Sequence, residues 1–186
     1  MGRPGATDMP IRLPSLSIAD PNEVLRPVNP VFVATTLVLA LLLNVLPLTG
    51  TALMLRPDFL AVVLLYWCIQ APRYVGVGVA WFMGLLMDVG DATVFGQHAL
   101  AYAFLAYAAE YFRRRVLRFP LWQQALQVVV LLLFCAALVL LVRVVGGSPL
   151  PPWTYFVSAL SGAAVWPIAS VLLQVPQRPL RSSATL

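Results

Sequence analysis

Asp88, Asp91 and His98 are the residues whose types and spacing come closest to a chemical site in this sequence. They lie in the stretch GLLMDVGDATVFGQHALAY, residues 84–102, and His98 is the only histidine of the chain. Carboxylate and imidazole groups can bind a metal ion or transfer protons. Their spacing here matches no specific ligand pattern, so we expect no metal and no cofactor. We interpret the stretch as a polar patch that fixes helix packing or contacts a partner, with Asp91 as the N-cap of the next helix.

Nucleophilic catalysis lacks the residues that it needs. No serine lies in a Gly-x-Ser-x-Gly motif, lysine is absent, and no glycine-rich phosphate loop is present. Cys68 and Cys135 lie inside apolar runs, where cysteine packs as a small apolar side chain. These features favour a protein that is not an enzyme, because a membrane-embedded hydrolase would require a nucleophile–base pair.

The elements that position the polar residues are those of a membrane protein. The 186-residue chain is 61% hydrophobic and 10% charged, whereas soluble domains carry about 25% charged residues. A helix needs about 20 apolar residues to cross a bilayer. Six runs are predicted to do so, with Asn44 as the only polar interruption of the first: residues 31–48, 59–71, 74–87, 92–112, 121–145 and 153–175. We expect an all-α, six-helix transmembrane domain over residues 30–176, between a disordered cytoplasmic tail (1–29) and a short cytoplasmic tail (177–186).

The second and third runs are short, and two interpretations of them stay open. They flank Pro72-Arg73, so they form either a re-entrant hairpin with Arg73 halfway into the membrane or two separate spans. The cost of desolvating an arginine favours two spans. The second helix is then predicted to start near Leu53 and to run through Arg56-Pro57-Asp58. At that start, helix capping by Asp58 and contact with a partner are equal alternatives.

The arginines predict the orientation in the membrane. With the amino terminus inside, ten of the twelve arginines lie in cytoplasmic segments, so both termini are expected to be cytoplasmic. Glu110 precedes Arg113 and Arg114 by three and four residues, which predicts an ion pair on the helix surface. This glutamate and the arginines around it are predicted to form an anchor on anionic lipid, with docking of a cytoplasmic protein as the alternative: Glu110, Arg113, Arg114, Arg115 and Arg118.

Small residues predict where the helices approach one another. One such face of the third run ends at Asp88, one of the fourth run ends at Glu110, and the sixth run adds a further pair of small residues with Ser158. We therefore expect Asp88 and Glu110 to point into protein rather than lipid. The predicted packing positions are Gly76, Ala80, Gly84, Ala99, Ala103 and Gly162.

The stretch LRPDFLAVVLLYWCIQAPRYVGVGVAWFMGLLMDVGDATVFGQHALAY, residues 55–102, closely resembles the rod shape-determining MreD family of Gram-negative bacteria. The matching elements are Arg-Pro-Asp at 56–58, Leu-Leu-Tyr-Trp at 64–67, Gly-x-x-x-Asp at 84–88 and Ala-Leu-Ala-Tyr at 99–102, followed by LWQQAL at 121–126 and Trp166-Pro167. Their order and spacing extend the resemblance over residues 31–175. The long amino-terminal tail departs from the family pattern.

The resemblance implies a non-catalytic inner-membrane component of the cell-wall elongation complex that binds MreC and helps to control cell shape and lateral peptidoglycan synthesis. Further expected partners are RodA, a class B penicillin-binding transpeptidase and, indirectly, MreB. The family is also similar in architecture to the S components of energy-coupling-factor transporters, so a substrate-binding subunit of a vitamin-type transporter is the alternative function. We expect one extracytoplasmic polar surface that braces the bundle and positions MreC, formed by Arg56, Pro57, Asp58, Asp88, Asp91 and His98.

Overall fold

The structure, a computed structural model, describes residues 29–47, 50, 55–92, 95–150 and 153–174. These residues form α-helices and one 3-10 helix, and none of them is in a strand. The helices are α1 (Pro30–Val45), α2 (Phe59–Gln70), α3 (Val77–Gly90), α4 (Gln97–Val116), α5 (Leu121–Val145), the 3-10 helix Trp153–Phe156 and α6 (Val157–Gln174). Their order follows the six apolar runs, so the prediction of an all-α fold is confirmed. The predicted tails lie outside the described residues, apart from Asn29, which caps α1.

Two of the described helices contain segments that are long and apolar enough to cross a bilayer alone, namely Trp122–Val145 and Val157–Gln174. The apolar helices α1, α2 and α3 are shorter, with 16, 12 and 14 residues. At 1.5 Å per residue α2 is about 18 Å long, which is well below the ~30 Å thickness of the hydrocarbon layer.

The short helix α2 lies at the centre of the bundle, packed against α1, α4 and α6. Nine of its twelve residues are buried, as expected for a helix that is apolar on all sides. Near its carboxyl end, Trp67 donates its Nε1–H to Thr36 Oγ1 at 2.9 Å and packs edge-on against Phe32. Protein therefore surrounds α2 along most of its length, and the non-helical residues 56–58 before it are half-buried. Non-helical backbone at membrane depth requires such cover.

The structure corrects the predicted start of the second helix. α2 begins at Phe59, and the three residues before it are non-helical, so a helix that runs through Arg56-Pro57-Asp58 is wrong; Leu53 lies outside the described residues. Asp58 is the N-cap, and its Oδ1 accepts a hydrogen bond from Ala61 N–H at 2.9 Å. A capping carboxylate satisfies the N–H groups of the first turn from outside the helix, so the helix starts immediately after it. Of the two alternatives at this position, capping is confirmed and partner contact stays a prediction.

Helices α3 and α4 make the closest approach in the bundle. A Cβ atom built on Gly84 would lie 2.4 Å from Ala99 Cα, so only glycine allows the two backbones to come this near. The predicted start of the fourth helix at residue 92 and the N-cap role of Asp91 are both wrong. Asp91 is the C-cap residue of α3, and the N-cap of α4 is Gly96, whose φ of 96° favours glycine.

At the opposite end of α4, two charged side chains interact with helix ends rather than with each other. Arg113 Nε donates to the Ile69 carbonyl at 2.5 Å, near the carboxyl end of α2. Glu110 Oε1 lies beside Gly76, the N-cap of α3. Helix dipoles favour each charge at its position. The predicted ion pair of Glu110 with an arginine is therefore wrong, because within the described ranges the one contact between an acidic side chain and an arginine or histidine at salt-bridge distance is Asp88–His98.

The two acidic residues that were expected to point into protein differ in how far they are buried. Asp88 is 1% exposed, whereas Glu110 is exposed. The expectation holds for Asp88 and fails for Glu110, whose exposed side chain lies at the surface of the bundle beside Gly76. We call the end of the bundle that contains Asn44, Asp58 and Asp88 the carboxylate end, and the end that contains residues 113–118 the arginine end.

Candidate functional site

A polar network at the carboxylate end joins α1, α2 and α4. Asn44 of α1 donates its Nδ2–H to Asp58 Oδ1 at 2.7 Å, and its Oδ1 accepts Phe59 N–H at 2.9 Å. Tyr102 of α4 donates its hydroxyl to Asp58 Oδ2 at 2.8 Å. Asn44 and Tyr102 are both buried. Asp58 thus caps its own helix and holds two neighbouring helices at the same time; we call these residues the Asp58 network.

The second element of the site is the Asp88–His98 pair, which joins α3 to α4. Asp88 Oδ1 lies 2.8 Å from His98 Nδ1 and accepts the His98 backbone N–H at 2.9 Å. Asp88 Oδ2 accepts Gly96 N–H at 2.8 Å. An ionised carboxylate only accepts hydrogen bonds, so Nδ1 of the imidazole is assigned the proton. Asp88 caps α4 from a neighbouring helix, because the N-cap residue of α4 is a glycine without a side chain.

Aromatic contact connects the Asp58 network to the Asp88–His98 pair. The rings of His98 and Tyr102 lie 5.7 Å apart between centroids. A cavity of about 40 Å³ adjoins them, and its polar lining is Asp58, His98, Tyr155 and Ser158. This volume has room for a few water molecules. It is far below the roughly 300–1,000 Å³ of small-molecule pockets.

The remaining predicted residues lie at the edge of the same end. Arg56 Nη1 donates to the carbonyl of Leu46, the C-cap of α1, at 3.1 Å. Pro57 is half-buried and Asp91 is exposed. Partial desolvation raises the pKa of the Asp91 carboxyl, although the charges of His98 and Arg56 lower it. The structure therefore brings the six predicted residues to one end, with Asp58 and Asp88 bonded inside it and Arg56 and Asp91 nearer the surface.

The chemistry of this arrangement is that of a structural brace. Within the part of the chain that the structure describes, no serine or cysteine is hydrogen-bonded to His98, and no group of three or more His, Cys, Asp and Glu side chains is placed to hold a metal ion. The Ser158 hydroxyl in the cavity donates to the Tyr155 carbonyl instead. The carboxylates of Asp58 and Asp88 are occupied by donors from the protein itself.

Two residues of the site were not among the predicted site residues. Asn44 appeared in the sequence only as a polar interruption of the first apolar run, and Tyr102 only as the last letter of a motif. The usable signal was the asparagine, since a polar amide inside a membrane helix usually hydrogen-bonds to another helix. Its partner, 14 residues further along the chain, was not readable from spacing.

The predicted packing residues lie at helix contacts to different degrees. Gly84, Ala80 and Ala99 are buried, whereas Ala103 is half-buried. A Cβ atom on Gly162 would lie 2.9 Å from Leu132 Cδ1, between α6 and α5. The predicted anchor arginines lie at the arginine end; Arg114, Arg115 and Arg118 are exposed.

Comparison with known proteins gives two matches of sequence and none of structure. The family model described as rod shape-determining protein MreD matches residues 26–175. The rod shape-determining protein MreD of Haemophilus influenzae is 30% identical over 146 residues, which cover 77% of this chain and 89% of that relative. No solved structure matches the chain, so the expected likeness to energy-coupling-factor S components receives no support.

Proposed function

This chain belongs to the MreD family of rod shape-determining proteins, and from that premise we propose that it is a non-catalytic inner-membrane component of the bacterial cell-wall elongation complex. In this proposal it binds MreC at the carboxylate end. Through that contact it supports lateral peptidoglycan synthesis by RodA and a class B penicillin-binding transpeptidase, and it is linked indirectly to MreB.

The proposal is best supported by the hydrogen bonds that the acidic side chains at the carboxylate end form between helices. Asp58 bonds to α1 and α4, and Asp88 bonds α3 to the start of α4. Fully bonded polar networks rigidify the elements that they join. A rigid end formed by four helices is suited to hold a partner in a fixed position, with Arg56 and Asp91 as the charged groups nearest the surface.

A six-span topology with both termini in the cytoplasm accompanies this proposal. Asn44, Asp58, Asp88 and His98 share one end, as they do when α1 to α4 alternate in direction. Arg113 bonds to Ile69, so the turn that contains Arg73 lies near the level of the arginine end. This favours two spans for α2 and α3, because a re-entrant hairpin would place Arg73 halfway into the membrane.

The transporter alternative is not favoured. A vitamin-sized ligand needs a pocket of roughly 300 Å³ or more, whereas the cavity at the carboxylate end measures about 40 Å³. The polar atoms of Asp58 that a ligand would have to reach are already bonded to Asn44, Ala61 and Tyr102.

The proposal is tested by the recovery of MreC with the membrane-extracted protein. The double variant Arg56→Gln/Asp91→Asn removes the two charges nearest the surface and leaves the Asp58 and Asp88 bonds intact. We expect MreC recovery to fall about tenfold, which corresponds to the loss of two polar contacts of ~0.7 kcal/mol each, and cells to lose their rod shape.

The matched control is Arg143→Gln, which removes a charge from the last turn of α5. It should retain MreC at the level of the unmodified protein. Full MreC recovery and normal rods with the double variant would contradict the proposed contact surface.

A further inference from the structure

A second cavity, at the arginine end, lies between α4 and α5. It has a volume of about 190 Å³ and is lined by Phe112, Arg115, Val116, Gln127, Val130 and Leu131. Phe112 is 40% exposed and Val130 is 63% exposed, so the cavity opens as a groove on the outer face of the bundle. We call it the α4–α5 groove.

The α4–α5 groove is positively charged, and no acidic group in the described ranges neutralises it. Arg115 lines it, and the exposed Arg114 and Arg118 lie within three residues of Arg115. Glu110, the one carboxylate in the second half of α4, lies beside Gly76 instead. Arg113 donates a hydrogen bond to the Ile69 carbonyl and so points away from the groove's arginine. Arg115 is therefore free to bind an anionic group.

Apart from Arg115, the residues that line the α4–α5 groove are mostly apolar. Four of the six lining residues are apolar, and Val116 and Leu131 form a buried floor. One arginine and one glutamine therefore adjoin an apolar channel. A molecule that fits has an anionic group with several oxygen acceptors and a hydrocarbon chain attached to it. The planar guanidinium of arginine matches the oxygens of a phosphate.

We propose that the α4–α5 groove binds one anionic phospholipid of the surrounding bilayer, with its phosphate at Arg115 and Gln127 and an acyl chain along Phe112, Val116, Val130 and Leu131. Basic pockets between transmembrane helices on the cytoplasmic side are a recurrent setting for anionic headgroups. The inference requires residence in a membrane but no contact with MreC, so it stands or falls separately from the proposed partner surface.

The test is the binding of a defined lipid to the full-length protein in neutral detergent. Dioleoyl phosphatidylglycerol and dioleoyl phosphatidylcholine are titrated separately, and the bound lipid is counted by native mass spectrometry. We expect one tightly bound phosphatidylglycerol and weaker binding of phosphatidylcholine. Arg115→Gln should weaken phosphatidylglycerol binding about fivefold, equivalent to ~1 kcal/mol, while Arg143→Gln in the same helix pair should leave it unchanged.

A second pair of variants tests the acyl channel. Val130→Trp fills the groove and should remove the bound phosphatidylglycerol, whereas Val145→Trp, at an 80% exposed position of the same helix, should retain it. Both positions are exposed, and circular dichroism checks that the variants keep their helices.

Three results would overturn the inference. The first is equal affinity for the two lipids, and the second is equal weakening by Arg115→Gln and Arg143→Gln, which indicates diffuse charge attraction. The third is displacement of the lipid by glycerol phosphate alone, which indicates an anion site without an acyl channel.

Discussion

At the scale of single residues, Asp88 of α3 accepts hydrogen bonds from N–H groups at the start of α4. This is the role that the N-cap residue of a helix usually has. The two oxygens of Asp88 accept the backbone N–H groups of Gly96 and His98 and face the imidazole Nδ1. The residue is 1% exposed, so water cannot replace these bonds. A buried acceptor surrounded by donors is sensitive to any change that turns one of its oxygens into a donor.

Asp88→Asn makes that change with almost no change in shape. One oxygen becomes an NH₂ group that faces N–H donors, and the carboxylate that accepts from His98 Nδ1 is lost. We expect the free energy of unfolding to fall by about 2–4 kcal/mol. The measurement is the thermal midpoint of helix loss in detergent, followed by circular dichroism. A midpoint equal to that of the unmodified protein would contradict the capping role.

Asp91→Asn, three residues away, is the matched control. Desolvation raises the pKa of Asp91 in the folded state, so the fold disfavours the charged form. This penalty is present at neutral pH and disappears as the pH falls below the unfolded pKa of about 4. At neutral pH Asp91→Asn should therefore be as stable as the unmodified protein or more stable, and the difference should shrink as the pH falls and vanish well below about pH 4.

At the scale of helices, the α3–α4 contact depends on one glycine. A methyl group on Gly84 would lie 2.4 Å from Ala99 Cα and 2.5 Å from its nitrogen, and these backbone atoms cannot move without separating the helices. Gly84→Ala should lower the free energy of unfolding by about 1–3 kcal/mol. It should also disturb the Asp88–His98 pair, which lies one turn further along the same interface.

Gly78→Ala in the same helix supplies the control. No atom lies within 4 Å of the Cβ position there, so alanine gains helix propensity without a clash. This variant should be more stable by roughly 0.5–1 kcal/mol. Thermal midpoints of the two variants measured side by side should move in opposite directions, and movement in the same direction would contradict the close-approach argument.

Helix order could be predicted from the sequence, whereas helix ends could not. The apolar runs specify α1 to α6 because burial in lipid or protein requires continuous apolar residues. Asp58 caps α2 through the local Ala61 N–H, a bond that the sequence could suggest. The start of α4 depends on Asp88 of α3, whose bonds to Gly96 and His98 arise only in the folded bundle. In the same way, Glu110 and Arg113 satisfy local spacing rules for an ion pair, but in the folded bundle Arg113 donates to the Ile69 carbonyl and Glu110 lies beside Gly76.

At the scale of the whole molecule, the bundle has two chemically different ends around a buried central helix. The carboxylate end uses Asp58 and Asp88 for internal bonds, while the arginine end leaves three arginines exposed. Arginine-rich segments remain on the cytoplasmic side of membranes. The proposed topology therefore places the arginine end in the cytoplasm and the carboxylate end on the outer side of the membrane.

This orientation can be tested by cysteine labelling, because the natural Cys68 and Cys135 are both buried and give little background. Ser148→Cys, in the loop after α5, should react with a membrane-impermeant maleimide in intact spheroplasts. Arg118→Cys, after α4, should react only once the membrane is permeabilised.

Arg73→Cys decides between two spans and a re-entrant hairpin. With two spans it should react, like Arg118→Cys, only after permeabilisation, because the Arg113–Ile69 bond places the α2–α3 turn near the arginine end. Labelling of Arg73→Cys in intact spheroplasts, or no labelling after permeabilisation, would contradict the six-span topology while leaving the helix packing unchanged.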